Sequence, residues 1–352
     1  MCGTAPAAST RDLGGGTGSE PLPCLVLTDV MDQARARSEE LSALENGAGW
    51  LPVTGESLVR VSGKDHRGTL QRVVTQDILR LGQGEGALAL LLAPKGQFRA
   101  IMAVFADGEL SYLLAPPGRG GELTQGLATY LLLSRCKAEP VAAEGVIAVL
   151  GPRWRESVSA AGGAALRENG GLATPGVLWF GRTMRGVPGA VAVAQDSRSL
   201  AALRGALEKT GTQPVSEEVV ELARMRVGWP AWGAELTETV LPPEVGIEEE
   251  SVSYSKGCYV GQETLARMRT YGHPTRGLAG LRQLAGSSEG PRLPLPLVVV
   301  GEEKARASLT SWGWHPARGG VGLGLVRRDL MQPGVRLAGD GREFEVTRFP
   351  LW

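Results

Sequence analysis

The chain reads as an α+β protein that ends in a small β-barrel. Strands interleave with helices from about residue 58 to 227, but several of the strands are joined by hairpin turns, so the pattern is not that of a purely parallel α/β sheet. After His273 the helical periodicity disappears. Short apolar runs between Gly and Pro turns replace it, the pattern of a small barrel. These observations divide the chain into an N-terminal tail and entry helix over 1–40, a mixed helix–sheet body over 41–275 with room for two subdomains, and a barrel over 276–352.

In chain order, residues 1–23 are mostly Ala, Gly, Ser, Thr and Pro and are expected to form a mobile tail. A Met-Cys-Gly start is shared by amidotransferases that use Cys2 as nucleophile. Those need a strand directly after the cysteine, and Ala5-Pro6-Ala7-Ala8-Ser9 is not one. Asp29 to Leu44 reads as a helix that Asp29 could cap. Leu58 to Gly63 alternates as a strand, and Asp65 to Leu79 follows as an amphipathic helix with Leu70, Val73, Val74 and Ile78 inward. Ala87 to Ala93 is a strand. Phe98 to Phe105 and Glu109 to Leu114 form a hairpin around Ala106-Asp107-Gly108.

Leu123 to Leu133 is a helix, and Cys136 to Pro140 a strand on which Cys136, flanked by Arg135 and Lys137, reads as a surface residue. Strands follow at Val146–Leu150, Val177–Phe180 and Ala190–Ala194, and helices at Ser157–Leu166, Ser199–Lys209 and Ser216–Val227. The Gly162-Gly163 and Gly170-Gly171 pairs lack the strand–glycine–helix context of a dinucleotide site. In the last segment, strands are expected at Leu278–Leu284, Leu295–Val300, Arg306–Ser311, Val321–Val326 and Phe344–Arg348.

Composition narrows the function classes. The 352 residues carry 37 basic and 37 acidic side chains, so no charge excess announces a nucleic-acid surface or an acidic tail. Apolar runs such as Leu88 to Ala93 are far too short to span a bilayer. The four cysteines form no C-x-x-C pair and the three histidines are isolated, which supports neither a zinc site nor a dedicated iron–sulfur ligand set, and no metal ligands are assigned. Without a secretory pattern, the expectation is a monomer in a reducing cytoplasm.

Two stretches carry chemistry. Lys256-Gly257-Cys258-Tyr259-Val260-Gly261-Gln262-Glu263 packs a thiol, an amine, an amide and a carboxylate into eight residues, and Thr264 to Arg269 continue as helix formers. Cys258 is therefore placed at or just before a helix N-terminus. There the dipole and Lys256 would favour a thiolate and make a reactive nucleophile. A small buried apolar cysteine fits the same sequence. The second stretch runs from Gly228 to Gly246. Its loops carry Trp229, Trp232, Glu235 and Glu244, which suit either the walls of a heterocycle pocket or a domain interface.

The first stretch resembles the signature K-G-C-[FY]-x-G-Q-E of the YgfZ family, which is related to the T-protein (aminomethyltransferase) of the glycine cleavage system. Val61, Gly63, Asp65, Leu70, Gln71, Thr75 and Asp77 resemble the layout of that family's first domain, and Arg267 matches an arginine that commonly follows the signature. The resemblance runs from about residue 40 to the end. It implies a T-protein-like folate-binding fold closed by a barrel, with Cys258 and Lys256 as the reactive pair. Gly257, Tyr259, Gly261, Gln262, Glu263, Arg267, Trp232, Glu235 and Glu244 would line a site for tetrahydrofolate or a related folate. It also implies an accessory role toward iron–sulfur enzymes or cluster-assembly proteins, including tRNA-modifying ones, with a cluster bound at most transiently. No direct nucleic-acid binding is evident in the sequence, whether tRNA is contacted directly stays open, and no membrane contact is expected.

Two departures qualify the resemblance. Where the T-protein has adjacent acids after its G-G-[IV]-x turn, this chain has Ala100 and Ile101 after Gly96-Gln97-Phe98-Arg99, and neither acts as acid or base. Where the family reads R-x-E-x-G, with the glutamate on the pterin, Arg226 stands in Arg224-Met225-Arg226-Val227-Gly228. Arginine offers only donors, so Glu235 or Glu244 would have to take over. The alternatives are thus a tetrahydrofolate-dependent aminomethyltransferase and a non-catalytic binding scaffold, and whether the chain is an enzyme stays open.

Overall fold

The structure, a computed structural model, describes residues 24–352 except Glu56 and Met184. The expected N-terminal tail, Cys2 included, lies outside the described residues. The first helix, Cys24–Asn46, buries Leu41 and Leu44 in its last turns. Glu40 on this helix accepts from the Ser216 amide at 2.7 Å and the Ser216 hydroxyl at 2.6 Å. It thereby satisfies donors at the start of the helix Glu217–Val227, a helix that later lines the site.

Two sheets form the body. The first runs in spatial order Gln213–Pro214, Gly49–Val53, Gly145–Leu150, Gly189–Ala194, Val177–Gly181, Gly170–Thr174. The second runs Gly86–Leu92, Phe98–Asp107, Leu110–Leu114, Leu58–Ser62, Lys137–Pro140. They face each other through Leu58, Ala103, Phe105 and Leu114 on one side and Leu178, Phe180, Val191 and Val193 on the other. The Phe105 and Phe180 rings lie 4.9 Å apart.

The remaining six strands close into a barrel: Arg276–Ala285, Gly319–Arg327, Ala305–His315, Leu295–Val299, Arg336–Gly339 and Arg342–Thr347. Its one helical element among the described residues is the short 3-10 turn Arg328–Leu330. A single apolar core then joins the parts. Leu90 and Phe98 from the second sheet meet Leu150 from the first, Val220 from the helix, and Leu323 from the barrel.

One element differs instructively from the sequence reading. The helix expected over 65–79 stops at Val73, and Ile78–Arg80 is a separate 3-10 turn. Val73, Val74 and Thr75 are three consecutive β-branched residues, which pack poorly in a helix. Val74 is extended and bridges to Leu91, while the Thr75 hydroxyl donates to the Ser251 carbonyl at 2.6 Å and accepts from the Leu90 amide at 2.8 Å. The broken helix leaves carbonyls without helical partners, and these become important at the site. The strands Gly49–Val53, Gly170–Thr174 and Arg336–Gly339 were not expected. They are short and interrupted by Pro or Gly, so alternation does not show.

Candidate functional site

The signature segment enters from the short helix Glu248–Ser251 and runs into the helix Gln262–Tyr271. Cys258 precedes that helix and is exposed. Gly261 makes the entry turn at φ +82°, where a Cβ would stand 2.7 Å from the Ala93 carbonyl oxygen, so only glycine fits the approach. Tyr259 is buried in the central core, and burial pushes its hydroxyl up to about 12. Gly257 faces open space. Gln262 and Glu263 begin the helix, where Glu263 pairs with Arg267 at 2.6 Å on an exposed face.

Lys256 corrects the sequence reading. Its side chain is buried and its ammonium donates to three carbonyls, those of Gln71, Val74 and Gln76, at 2.5, 2.7 and 2.8 Å. These are the carbonyls exposed where the preceding helix breaks off. The ammonium has three N–H bonds, and all are engaged. Lys256 therefore clamps the broken helix to the signature, and has no proton left to give the Cys258 thiolate. Burial lowers its amine to about 8, while the three carbonyl acceptors favour the protonated form.

Away from the signature, a cavity of about 620 Å³ opens where the second sheet, the segment after the strand Val177–Gly181, the helix Glu217–Val227 and the barrel meet. The second sheet contributes Leu88, Ile101 and Leu114, the barrel Thr310, Ser311 and Trp312, and the loop after the helix Trp229 and Trp232. Of the sequence-nominated ligand residues, Trp232 lines this cavity. Gly257, Tyr259, Gly261, Gln262, Glu263 and Arg267 do not, and neither does Cys258. The structure thus separates the signature from the tryptophan loops, which the sequence reading had placed around one pocket.

Glu235 and Glu244 also take other roles. Glu235 is fully buried and accepts from the Arg224 guanidinium at 3.1 Å, the Ala231 amide at 2.9 Å, and the Thr310 and Ser311 hydroxyls at 2.6 Å each. With four donors already on it, the carboxylate has no capacity left for a ligand. Glu244 is gripped by both arms of Arg276, at 2.9 and 3.2 Å, and accepts from the Leu241 amide at 2.9 Å, tying the body to the first barrel strand. Neither replaces a pterin-binding glutamate.

Arg226 likewise points elsewhere. It donates to the Trp352 carbonyl at 3.1 Å and lies 3.5 Å from Glu45. Arg226→Glu is therefore expected to leave affinity at the cavity unimproved. By setting two carboxylates side by side it should lower stability by about 0.5–1 kcal/mol, measurable by urea unfolding.

The charged residues that do line the cavity were missed: Arg119, Arg182, Arg185, Glu217, Glu221 and Arg224. A signal existed. Glu217, Glu221 and Arg224 fall at i, i+4 and i+7 of one helix, a polar stripe that runs from the exposed Glu217 to the buried Arg224 along the cavity, beside the apolar Val219, Val220 and Leu222. Arg224 is buried, donates to Glu221 at 2.9 Å and the Trp229 carbonyl at 2.7 Å, and so fixes the tryptophan loop to the helix. Arg185 bridges Glu217 and Glu221.

Cys136 is buried near the Thr69 hydroxyl, at 3.8 Å, rather than on the surface. Maleimide labelling resolved by peptide mapping should therefore modify Cys258 in the folded protein and Cys136 only in denaturant. Among the described residues no group of three His, Cys, Asp or Glu side chains could hold a metal ion, and no helix is long and apolar enough to cross a membrane.

Comparison with known proteins gives a consistent picture. No protein-family model matches the chain. It is 26% identical over 314 residues to a chloroplastic protein of Arabidopsis thaliana named as a transferase, covering 84% of this chain and 69% of that one. It is 24% identical over 245 residues to the tRNA-modifying protein YgfZ of Cronobacter sakazakii, covering 68% and 71% of the two chains. The crystal structure of glycine cleavage system aminomethyltransferase T from Bartonella henselae matches with a TM-score of 0.78 over 89% of each chain at 18% identity. That match shows a shared fold: mixed sheets and helices closed by a barrel.

Proposed function

We propose that this chain, which is similar to the YgfZ proteins in sequence and shares the T-protein fold, binds a reduced folate in its central cavity. On this reading the protein is an accessory factor for iron–sulfur proteins, tRNA-modifying ones among them, with Cys258 as its reactive group and the cytoplasm as its compartment. The observation that carries the reading is the composition of the cavity. Its volume of about 620 Å³ lies in the range of small-molecule sites. Trp229 and Trp232 offer flat faces for a heterocycle, Glu217 and Glu221 offer acceptors for ring N–H groups, and Arg182 and Arg119 offer donors to carboxylates. These residues fit a folate in kind, and they would bind and orient it while the apolar floor excludes water.

The same cavity speaks for binding over aminomethyl transfer. Ile101 lines it at one of the positions where the T-protein carries an acid. The two carboxylates present are both ion-paired with Arg185. For iron–sulfur work, the exposed Cys258 supplies one thiol and Cys136 is buried, so any cluster would be cargo shared with a partner.

Calorimetric titration with tetrahydrofolate tests the binding. Micromolar binding is expected, weakened about tenfold or more by Trp232→Ala, equivalent to about 1.4 kcal/mol. No heat with the wild type would end the folate reading. The accessory role is tested by the activity of an iron–sulfur reporter enzyme in cells lacking this protein. Wild type should restore it and Cys258→Ala should not. Turnover of an aminomethyl donor with tetrahydrofolate would instead establish the transferase.

A further inference from the structure

Three of the four arginines around the cavity have acidic partners within the chain. Arg119 pairs with Glu122, Arg185 with Glu217 and Glu221, and Arg224 with Glu221 and Glu235. Arg182 does not. It follows the strand Val177–Gly181, its own amide donates to the Gly189 carbonyl at 2.8 Å, and its side chain is 8% exposed. Among the described residues that side chain has neither a hydrogen bond nor an ion pair, although it lines the cavity. A guanidinium carries five donors, and the part of Arg182 that lines the cavity offers them to whatever enters it. Desolvation pulls this one down to about 10, with only Glu250, beyond ion-pair distance, acting against it.

We infer that the cavity takes a flat organic anion whose carboxylate or phosphate pairs with Arg182. This deepens the folate reading and rests on the cavity being the ligand site. A planar two-oxygen anion is the natural complement of a guanidinium, because two parallel N–H···O bonds form at once. The apolar lining of Leu88, Ile101 and Leu114 and the rings of Trp229 and Trp232 fit an aromatic body attached to that anion. The unpaired arginine is then a site prepared for the ligand: its charge is uncompensated until the ligand arrives.

The test uses wild type, Arg182→Lys and Arg182→Gln, with four probes titrated by calorimetry. Tetrahydrofolate carries both ring and carboxylates, and 6-methyltetrahydropterin carries the ring alone. 4-Aminobenzoylglutamate carries carboxylates without the pterin, and phenyl phosphate carries a phosphate. Wild type is expected to prefer tetrahydrofolate over 6-methyltetrahydropterin by about 10–100-fold. Arg182→Gln should erase that preference and Arg182→Lys keep part of it. Ligand-free Arg182→Gln should also melt above wild type, since it removes a buried uncompensated charge. Comparing the glutamyl and phosphate probes identifies the anion.

If tetrahydrofolate fails on wild type but an anionic probe binds and loses affinity in Arg182→Gln, the folate reading falls and the anion site stands. Equal losses for charged and neutral ligands in Arg182→Gln overturn the inference. So does wild type that binds none of the anionic probes, or ligand-free Arg182→Gln that melts below wild type with ligand preferences unchanged.

Discussion

Lys256→Ala is expected to destabilise the protein by about 3–5 kcal/mol, because a buried cation holding three carbonyls leaves them without donors when it is removed. Each hydrogen bond to a charged donor contributes about 1.5–3 kcal/mol, but Gln71 and Gln76 lie where water can partly replace the ammonium, which lowers the sum. Lys256→Met retains most of the apolar stem and the packing over the Tyr259 ring, whose centroid lies 5.1 Å from the ammonium. It should cost nearly as much as Lys256→Ala, which assigns the loss to the hydrogen bonds. Urea unfolding of the three proteins checks this, and a loss below about 1 kcal/mol in both variants would contradict it. The rate–pH profile of Cys258 alkylation separates the two roles considered for this lysine. An activating lysine would displace the profile when removed, and a clamping one leaves it in place.

Glu235→Ala should cost a similar amount, about 3–5 kcal/mol, since it strands the Arg224 guanidinium in the core together with the Thr310 and Ser311 hydroxyls. Arg224 and Glu235 are 1% and 0% exposed, so solvent cannot screen the charge that remains. The double variant Arg224→Met/Glu235→Leu removes both charges and should recover much of the loss. If Glu235→Ala unfolds like wild type yet binds tetrahydrofolate far more weakly, the carboxylate belongs to the ligand after all. The expected stability loss arises from the barrel hydroxyls that close over Glu235, which the sequence around it does not reveal.

How much of this was legible beforehand depends on the range over which each property is set. The Asp65 helix was visible from its periodicity, but its early end at Val73 was not read: the apolar pattern runs on to Ile78 and hides the Val73-Val74-Thr75 run, where propensity opposes it. The polar stripe of Glu217, Glu221 and Arg224 was present at helical spacing but is masked by the apolar positions between its members. Arg182 had no local signal at all. A lone arginine after a strand looks the same whether it meets a carboxylate, water or an open cavity. The assignment of Glu235 and Glu244 to a ligand failed for a related reason: a carboxylate in a Gly- and Pro-rich loop can turn to solvent, ligand or neighbour, and distant Thr310, Ser311 and Arg276 made the choice.

By itself, the sequence determined the α+β body, the change to a closed barrel after His273, the resemblance to T-protein-like chains, and the placing of Cys258 ahead of a helix. Those are properties of periodicity, turn chemistry and contiguous motif, all written within a few residues of one another. Only the tertiary structure decided that Lys256 is a clamp and that the signature and the tryptophan loops part company. It alone decided, too, that Arg182 is the cavity arginine without a partner among the described residues. Each of those depends on which groups from distant segments meet in a water-poor interior. There a donor's role is fixed by the acceptors that folding brings within about 3 Å of it.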